Sequence, residues 1–307
     1  MQIIGHQKII NFLNKSAARD STSAAYLFCG VEHLGKFKVA LDFAEKITKG
    51  TDQKINPDII VIRPEREPAS TRGGDRSSTR GGEKKGIVKK KDIKVEQIRE
   101  LQRGLAMTPY FGHCKVAIID DADRLTVSAQ NALLKTLEEP DDRSILILIC
   151  HDQEKILPTV KSRCITRSFN PVSGKEIENL FPSGGLSRSA VFWSLGRPGL
   201  AVEFSHDSSK LSALEKSQER LAEFLRSNLT DKFSLAEELS KDVPRLQEEL
   251  QTWTIIFRQN MQSPTDFLNM SGEKSLEMIE KIAANLALMR RTNSNVRVVL
   301  ENLFLAF

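Results

Sequence analysis

The sequence predicts an α/β domain built on a parallel sheet, followed by a short helical segment and an all-helical C-terminal region. Three observations carry this reading. Two apolar runs, residues 116–119 and 145–149, have strand length, a β-branched majority and no polar residue to mark a wet face, so they read as buried parallel strands. A third apolar run at 25–29 passes through a glycine-bounded loop into an apolar-periodic helix, the context that a phosphate-binding loop requires. Beyond Phe169 the strand pattern stops, and apolar residues recur only at three- and four-residue steps.

In order, residues 5–19 fit an amphipathic helix with Ile9, Ile10, Leu13 and Ala17 on one side. The strand at 25–29 leads into GVEHLGKF, residues 30–37, and then a helix through Val39, Ala40, Phe43, Ala44 and Ile47. A strand is expected at 58–62, and Val95, Ile98, Leu101 and Leu105 mark a helix before a TPYFGH turn. Between the two central strands Thr126 is placed to N-cap a helix carried by Ala129, Ala132, Leu133, Thr136 and Leu137, which Pro140 ends. Strand, helix and strand then form a right-handed crossover unit. Short helices with a Gly-Arg-Pro-Gly break occupy 173–206. From about residue 208 two apolar helix faces follow, one of Leu246, Leu250, Trp253 and Phe257, the other of Leu276, Ile279, Ile282, Leu286 and Met289. The expected division is 1–170, 171–206 and 207–307.

Composition narrows the class. With 307 residues, 40% hydrophobic and 28% charged, the chain suits a soluble globular protein. No apolar run is long enough to span a bilayer and the N-terminus lacks a signal-peptide pattern, so a cytoplasmic protein without membrane contact is expected. Cys29, Cys114, Cys150 and Cys164 are widely separated with no C-x-x-C pair, and read as reduced, buried small hydrophobes rather than metal ligands. The net charge of +5 is uneven: residues 50–95 hold 12 Lys and Arg against 7 Asp and Glu. Within them, about 66–91 is a low-complexity insertion with a duplicated STRGG, at 70–74 and 78–82. A flexible surface loop is its default reading, and weak contact with a nucleic-acid backbone the sharper one.

The candidate site residues fall at strand ends. Asp120 and Asp121 close the first central strand, where open α/β sheets bind ligands and where a Walker B segment holds the magnesium of a nucleotide; they also suit a simple loop start. Gly30, Gly35 and Lys36 match a phosphate loop, but Phe37 stands where a Ser or Thr hydroxyl should reach magnesium. His33 and Leu34 would crowd the phosphates, which leaves a relic loop as the default.

The motifs DADRLT, SAQNALLKTLEEP and LPTVKSRC resemble the clamp-loader branch of the AAA+ proteins. IKVEQIRELQ and PYFGHCKVAIID bring the resemblance closest to the delta-prime family of bacterial DNA polymerase III. It implies an α/β AAA+ P-loop-type module, a helical lid and an all-α collar that oligomerises. It also implies that Ser162, Arg163 and Cys164 present Arg163 as an arginine finger to the ATP site of a neighbouring subunit, a role suited to a permanently charged guanidinium. Departures from the ATPase members lie together: Phe37, His33, Asp121 in place of a Glu, and Gly199 where active members carry an arginine that Arg197 need not replace. They imply a non-catalytic, stator-like subunit without its own ATP turnover. Gly35 and Lys36 leave binding of ATP or ADP without hydrolysis open. Zinc is not expected, because 48–56 holds no cysteine and is too short for the family's four-cysteine module. The implied partners are the tau/gamma motor, the delta subunit, the sliding clamp and primed DNA, within a DNA-directed DNA polymerase holoenzyme, a nucleotidyltransferase. The rival readings are an ATP-hydrolysing motor of the same family and a DNA-binding protein acting through the basic loop.

Overall fold

The computed structural model describes residues 3–17, 24–48, 56–65, 90–111, 114–141, 143–179, 186–262, 268, 270–291 and 295–307. The chain divides into two compact units, Met1–Ser183 with Gly196–Leu200, and Gly184–Leu195 with Ala201–Phe307. Most of the basic insertion, at 66–89, and the stretch 49–55 relevant to zinc lie outside the described residues.

The first unit is organised by a five-stranded sheet of β1 (Ala24–Cys29), β2 (Ile59–Ile62), β3 (Lys115–Ile119), β4 (Ser144–Cys150) and β5 (Ile165–Ser168), in the order β2-β3-β4-β1-β5 with every pair parallel. All of β3 and β4 is buried, which is why neither strand alternates with polar residues: helices cover both faces. On one face α1 (Gln7–Ala17) and α2 (Lys36–Thr48) pack Leu13, Val39 and Phe43 against Phe28, Ile118 and Ile147. On the other, α3 (Val95–Leu105) and α4 (Val127–Glu138) pack Leu101 and Leu133 against Leu27, Ile119 and Leu148. Leu27 and Phe28 are neighbours serving opposite faces, as the two-residue repeat of a strand requires. Thr126 caps α4, its hydroxyl accepting from the Ala129 N–H at 3.2 Å. The short α5 (Pro158–Lys161) and α6 (Gly174–Glu178) follow β4 and β5.

One structural carboxylate escaped the sequence reading. Asp58, fully buried, accepts from the N–H groups of Tyr110 and Phe111 at 2.7 and 2.9 Å and faces Lys115 at 3.6 Å, so it ties residues 110–111 to the start of β3. Cys29, Cys114 and Cys150 are buried, Cys164 is half-buried, and all four are free thiols.

The second unit is helical: α7 (Arg188–Ser194), most of α8 (Pro198–His206), α9 (Ser208–Arg226), α10 (Leu229–Ser240), α11 (Val243–Gln262), α12 (Gly272–Arg291) and α13 (Val296–Leu305). Leu246, Leu250, Trp253 and Phe257 of α11 are buried, with Phe224 and Phe304 stacked about Trp253. The face expected on α12 needs one correction. Leu276 is 44% exposed, and Ser275 and Met278 take the buried side with Ile282. Ser275 is tolerated there because its hydroxyl meets the Asn260 amide at 3.0 Å and the Ser271 carbonyl at 3.1 Å. No described helix is long and apolar enough to cross a membrane.

Candidate functional site: a phosphate loop filled by its own lysine

The loop after β1 is shaped by three residues with positive φ, Gly30 (145°), His33 (66°) and Gly35 (85°). The Phe169 N–H donates to the Cys29 carbonyl at 2.7 Å, which brings the Phe169 carbonyl so close that a Cβ at Gly30 would lie 2.5 Å from it. At Gly35 there is space, and only the backbone angle asks for glycine.

Lys36 opens α2 and is only 3% exposed. Its ammonium donates to the carbonyl of Gly30, to that of Val31 at 2.7 Å, and to His151 Nδ1 at 3.1 Å. Its three protons are therefore engaged by the loop and by the end of β4. Burial lowers its pKa from the ordinary lysine value, with nearby groups including Asp120 and Glu32 opposing. An ammonium only donates, so His151 Nδ1 accepts, and the proton assigned to Nε2 is donated to Asp121 Oδ1 at 2.6 Å. The other Asp121 oxygen accepts from Lys90 at 2.5 Å. Burial pushes the Asp121 carboxyl up, but hydrogen bonds from His151 and Lys90 and their charges outweigh it and hold the group well below the usual carboxylate range.

Asp120 points elsewhere. It accepts from Arg63 Nε at 3.2 Å, and burial together with the neighbouring Asp121 charge raises its pKa. The same guanidinium lies 4.0 Å from the centroid of the Phe37 ring. A cation thus covers the position where a nucleotide loop offers a hydroxyl to magnesium, and the loop contributes no side-chain oxygen there. At the other rim the Gly199 N–H donates to the His33 carbonyl at 2.9 Å, and a Cβ at 199 would stand 3.0 Å from that oxygen. Burial lowers the Arg197 pKa, Glu32 opposing. The expected crowding by Leu34 is corrected: its side chain is 1% exposed and packs in the core with Phe28 and Val39, because a chain reversing at His33 turns it inward.

Among the described residues Glu32, Asp121 and His151 bring ligand atoms within 4.8 Å of one another and are the group that could hold a metal ion. Lys90, 3.8 Å from Glu32 and 2.5 Å from Asp121, already brings positive charge to it. His151 Nε2, the atom that would ligate, carries the proton it gives to Asp121.

The Ser-Arg-Cys residues lie at the other edge of the sheet. Arg163 precedes β5 by two residues at the amino ends of the strands, whereas Gly30 follows β1 at their carboxyl ends. Three strand steps alone separate these edges by ~10 Å. Arg163 is paired with Glu138 at 2.6 Å and donates to the Thr159 carbonyl at 3.0 Å, with about a third of its side chain exposed. A cavity of about 200 Å³ opens beside it, lined among others by Thr136, Pro140 and Ser144. Ser162 donates to the Thr159 carbonyl at 3.1 Å, and burial pushes the Cys164 thiol up to about 12.

The structure therefore gathers Gly30, Lys36, Asp120 and Asp121 and sets Arg163 apart. Sequence reasoning missed His151, Arg63, Lys90 and Glu32. His151 had a usable signal, since it follows β4 as Asp120 follows β3. Lys90, at the end of a low-complexity stretch, had none.

A parallel sheet with strand order β2-β3-β4-β1-β5, helices on both faces, and a glycine-bounded loop facing an acid pair define an AAA+ P-loop-type module. Within that class the chain belongs to the family described as DNA polymerase III, delta subunit, which matches residues 5–173, as the DADRLT and LPTVKSRC motifs led one to expect. Over 187 residues it is 31% identical to the DNA polymerase III subunit delta' of Bacillus subtilis (strain 168), covering 56% of this chain and 50% of that protein. Over 119 residues it is 36% identical to the subunit delta' of Haemophilus influenzae, covering 37% and 36%. The chain thus spans about half or less of the length of these curated relatives. Among solved structures it is similar to a DNA polymerase III gamma subunit-related protein of Thermotoga maritima, with a TM-score of 0.48, 20% identity and 96% and 97% of the two chains covered.

Proposed function

We propose that this chain is a non-catalytic, stator-like subunit of the delta-prime kind in a bacterial replicative clamp loader. It assembles with tau/gamma motor and delta subunits, completes a neighbour's ATP site, and helps place the sliding clamp on primed DNA in the cytoplasm. The observation that carries this reading is Lys36: buried, and bonded to the carbonyls of its own loop and to His151, it is not available to phosphate oxygens. Arg63 on Phe37, Asp121 held by His151 and Lys90, and Gly199 against His33 support the same conclusion. In this proposal the chain holds no magnesium nucleotide and no zinc and does not turn over ATP; residues 171–206 are a lid that does not sense nucleotide, and 207–307 are the collar.

Arg163 acts in trans. It lies too far from its own loop to reach a phosphate there, and it faces out beside a cavity at the amino edge of the sheet. Docking of a neighbour's nucleotide would exchange the Glu138 carboxylate for a γ-phosphoryl oxygen as the guanidinium's partner, with more negative charge to stabilise.

The test is the clamp- and DNA-stimulated ATPase rate of a complex reconstituted from this chain, its motor and its delta subunit. Arg163→Ala should leave assembly intact by size exclusion and lower the rate; a finger contributes about 10³–10⁵ at the site it serves. An unchanged rate in an assembled complex would overturn the role of Arg163. Magnesium-dependent turnover by the isolated chain would favour the motor reading instead.

A further inference from the structure

The last residues of β1 and β4 are both cysteines. Cys29 immediately precedes Gly30, Cys150 immediately precedes His151, and the two face each other in register across adjacent parallel strands. Their sulfurs are 3.3 Å apart, the Cys150 thiol donating to Cys29, and both side chains are buried. We propose that Cys29 and Cys150 form a reversible dithiol–disulfide pair beneath the loop, closed by hydrogen peroxide.

The geometry suits closure. Neighbouring strands lie ~4.8 Å apart, within the ~4.4–6.8 Å that a disulfide spans between Cα atoms. The sulfurs need only approach to ~2.0 Å. Cys29 is the attacking residue. The hydrogen bond from Cys150 lowers its pKa from the ordinary thiol value, and the Lys36 ammonium adds to this against the effect of burial. The same contact raises the pKa of Cys150. Cys114 and Cys164 are pushed up to about 11 and about 12 by burial, which keeps them as thiols.

In the reaction the Cys29 thiolate attacks one peroxide oxygen and the O–O bond breaks. The departing hydroxide takes up the proton that Cys29 released and leaves as water, so Cys29 becomes a sulfenic acid. Cys150 then attacks the Cys29 sulfur, the S–O bond breaks, and the Cys150 proton leaves with that oxygen as a second water. Two thiols are oxidised to one disulfide and one peroxide is reduced to two waters. A dithiol reductant reverses the change by exchange through a mixed disulfide.

The experiment treats the folded full-length chain with hydrogen peroxide, removes the oxidant with catalase, alkylates in denaturant and maps peptides without reduction. The expected result is loss of two of the four alkylatable thiols. One linked peptide pair should join Cys29 to Cys150 within a single chain, and dithiothreitol should restore both thiols. Cys29→Ala should keep all three remaining thiols under the same treatment, and Cys150→Ala, which retains the attacking sulfur but lacks its partner, should give no linked peptide pair. The wild-type map decides the matter alone if either variant does not fold. Four free thiols, a link involving Cys114 or Cys164, or a link between chains would overturn the proposal.

Discussion

The Lys36 ammonium lies 3.1 Å from His151 Nδ1, and that contact joins the loop to an alternating chain of donors and acceptors that runs on through Asp121 to Lys90. The loop that resembles a nucleotide cradle is thereby part of the fold's own polar network. A buried charge of this kind stabilises a structure only while all its partners are present.

Lys36→Met therefore tests whether the lysine is structural. The replacement keeps most of the side-chain length but leaves the Gly30 and Val31 carbonyls and His151 Nδ1 without their donor. We expect a loss of roughly 1–3 kcal/mol in urea unfolding. A lysine waiting for phosphate in solvent would give an unchanged midpoint, and that outcome would sink the filled-loop interpretation.

The acid pair sets a pH dependence with opposing parts. The folded pKa of Asp121 lies below its unfolded value of ~4, so the stability it confers is complete above pH ~4 and is lost as pH falls further. Asp120 is raised, so its charged form costs stability above its folded pKa and protonation relieves that cost as pH falls through it. Asp121→Asn should be less stable than wild type near neutral pH, with a gap that narrows below pH ~4. Urea midpoints of both proteins across the acid range check this, and a gap independent of pH would contradict it.

Two loop glycines should differ in what they tolerate. Gly30→Ala meets the Phe169 carbonyl at 2.5 Å on top of an unfavourable φ, whereas Gly35→Ala meets nothing within 4 Å. Gly35→Ala is expected to cost about 1 kcal/mol, and Gly30→Ala clearly more. Thermal unfolding of the two variants ranks them; equal losses would mean that the strand end has shifted to make room.

Arg163→Ala should barely affect the isolated chain. Its pair with Glu138 is exposed on both sides, and such pairs contribute ~0–1 kcal/mol. A much larger drop in unfolding midpoint would identify Arg163 as a structural residue, and any ATPase loss would then need another explanation.

In the helical unit one carboxylate holds three side chains. Glu249 accepts from Ser217 at 2.9 Å, from Arg220 at 2.6 and 3.1 Å and from Trp253 Nε1 at 3.2 Å. Glu249→Ala strands the indole N–H in the core, while Arg220, 38% exposed, recovers part of its hydration. A loss of about 3 kcal/mol is expected, at the lower end for a broken buried pair. Arg220→Ala should cost more than replacement of the exposed Lys241, whose Glu237 pair lies in solvent, and equal losses would contradict the network.

Much of this molecule could be read without coordinates. Continuous apolar runs such as 145–149 mark strands covered on both faces, and Thr126 with its three-residue spacing to Ala129 marks a helix start; both are local patterns. The α12 face was less legible, because Ser275 enters the core on a hydrogen bond from Asn260, a residue of another helix. By itself the sequence determined the elements, the parallel α/β class, the family and the loop's missing hydroxyl, since these follow from periodicity and from residue identity at fixed spacing. Only the tertiary structure decided where Lys36 spends its protons, that Arg63 covers Phe37, that Cys29 meets Cys150, and that Arg163 stands across the sheet from the loop. Those contacts join residues far apart in the chain, through the order and register in which the strands pair.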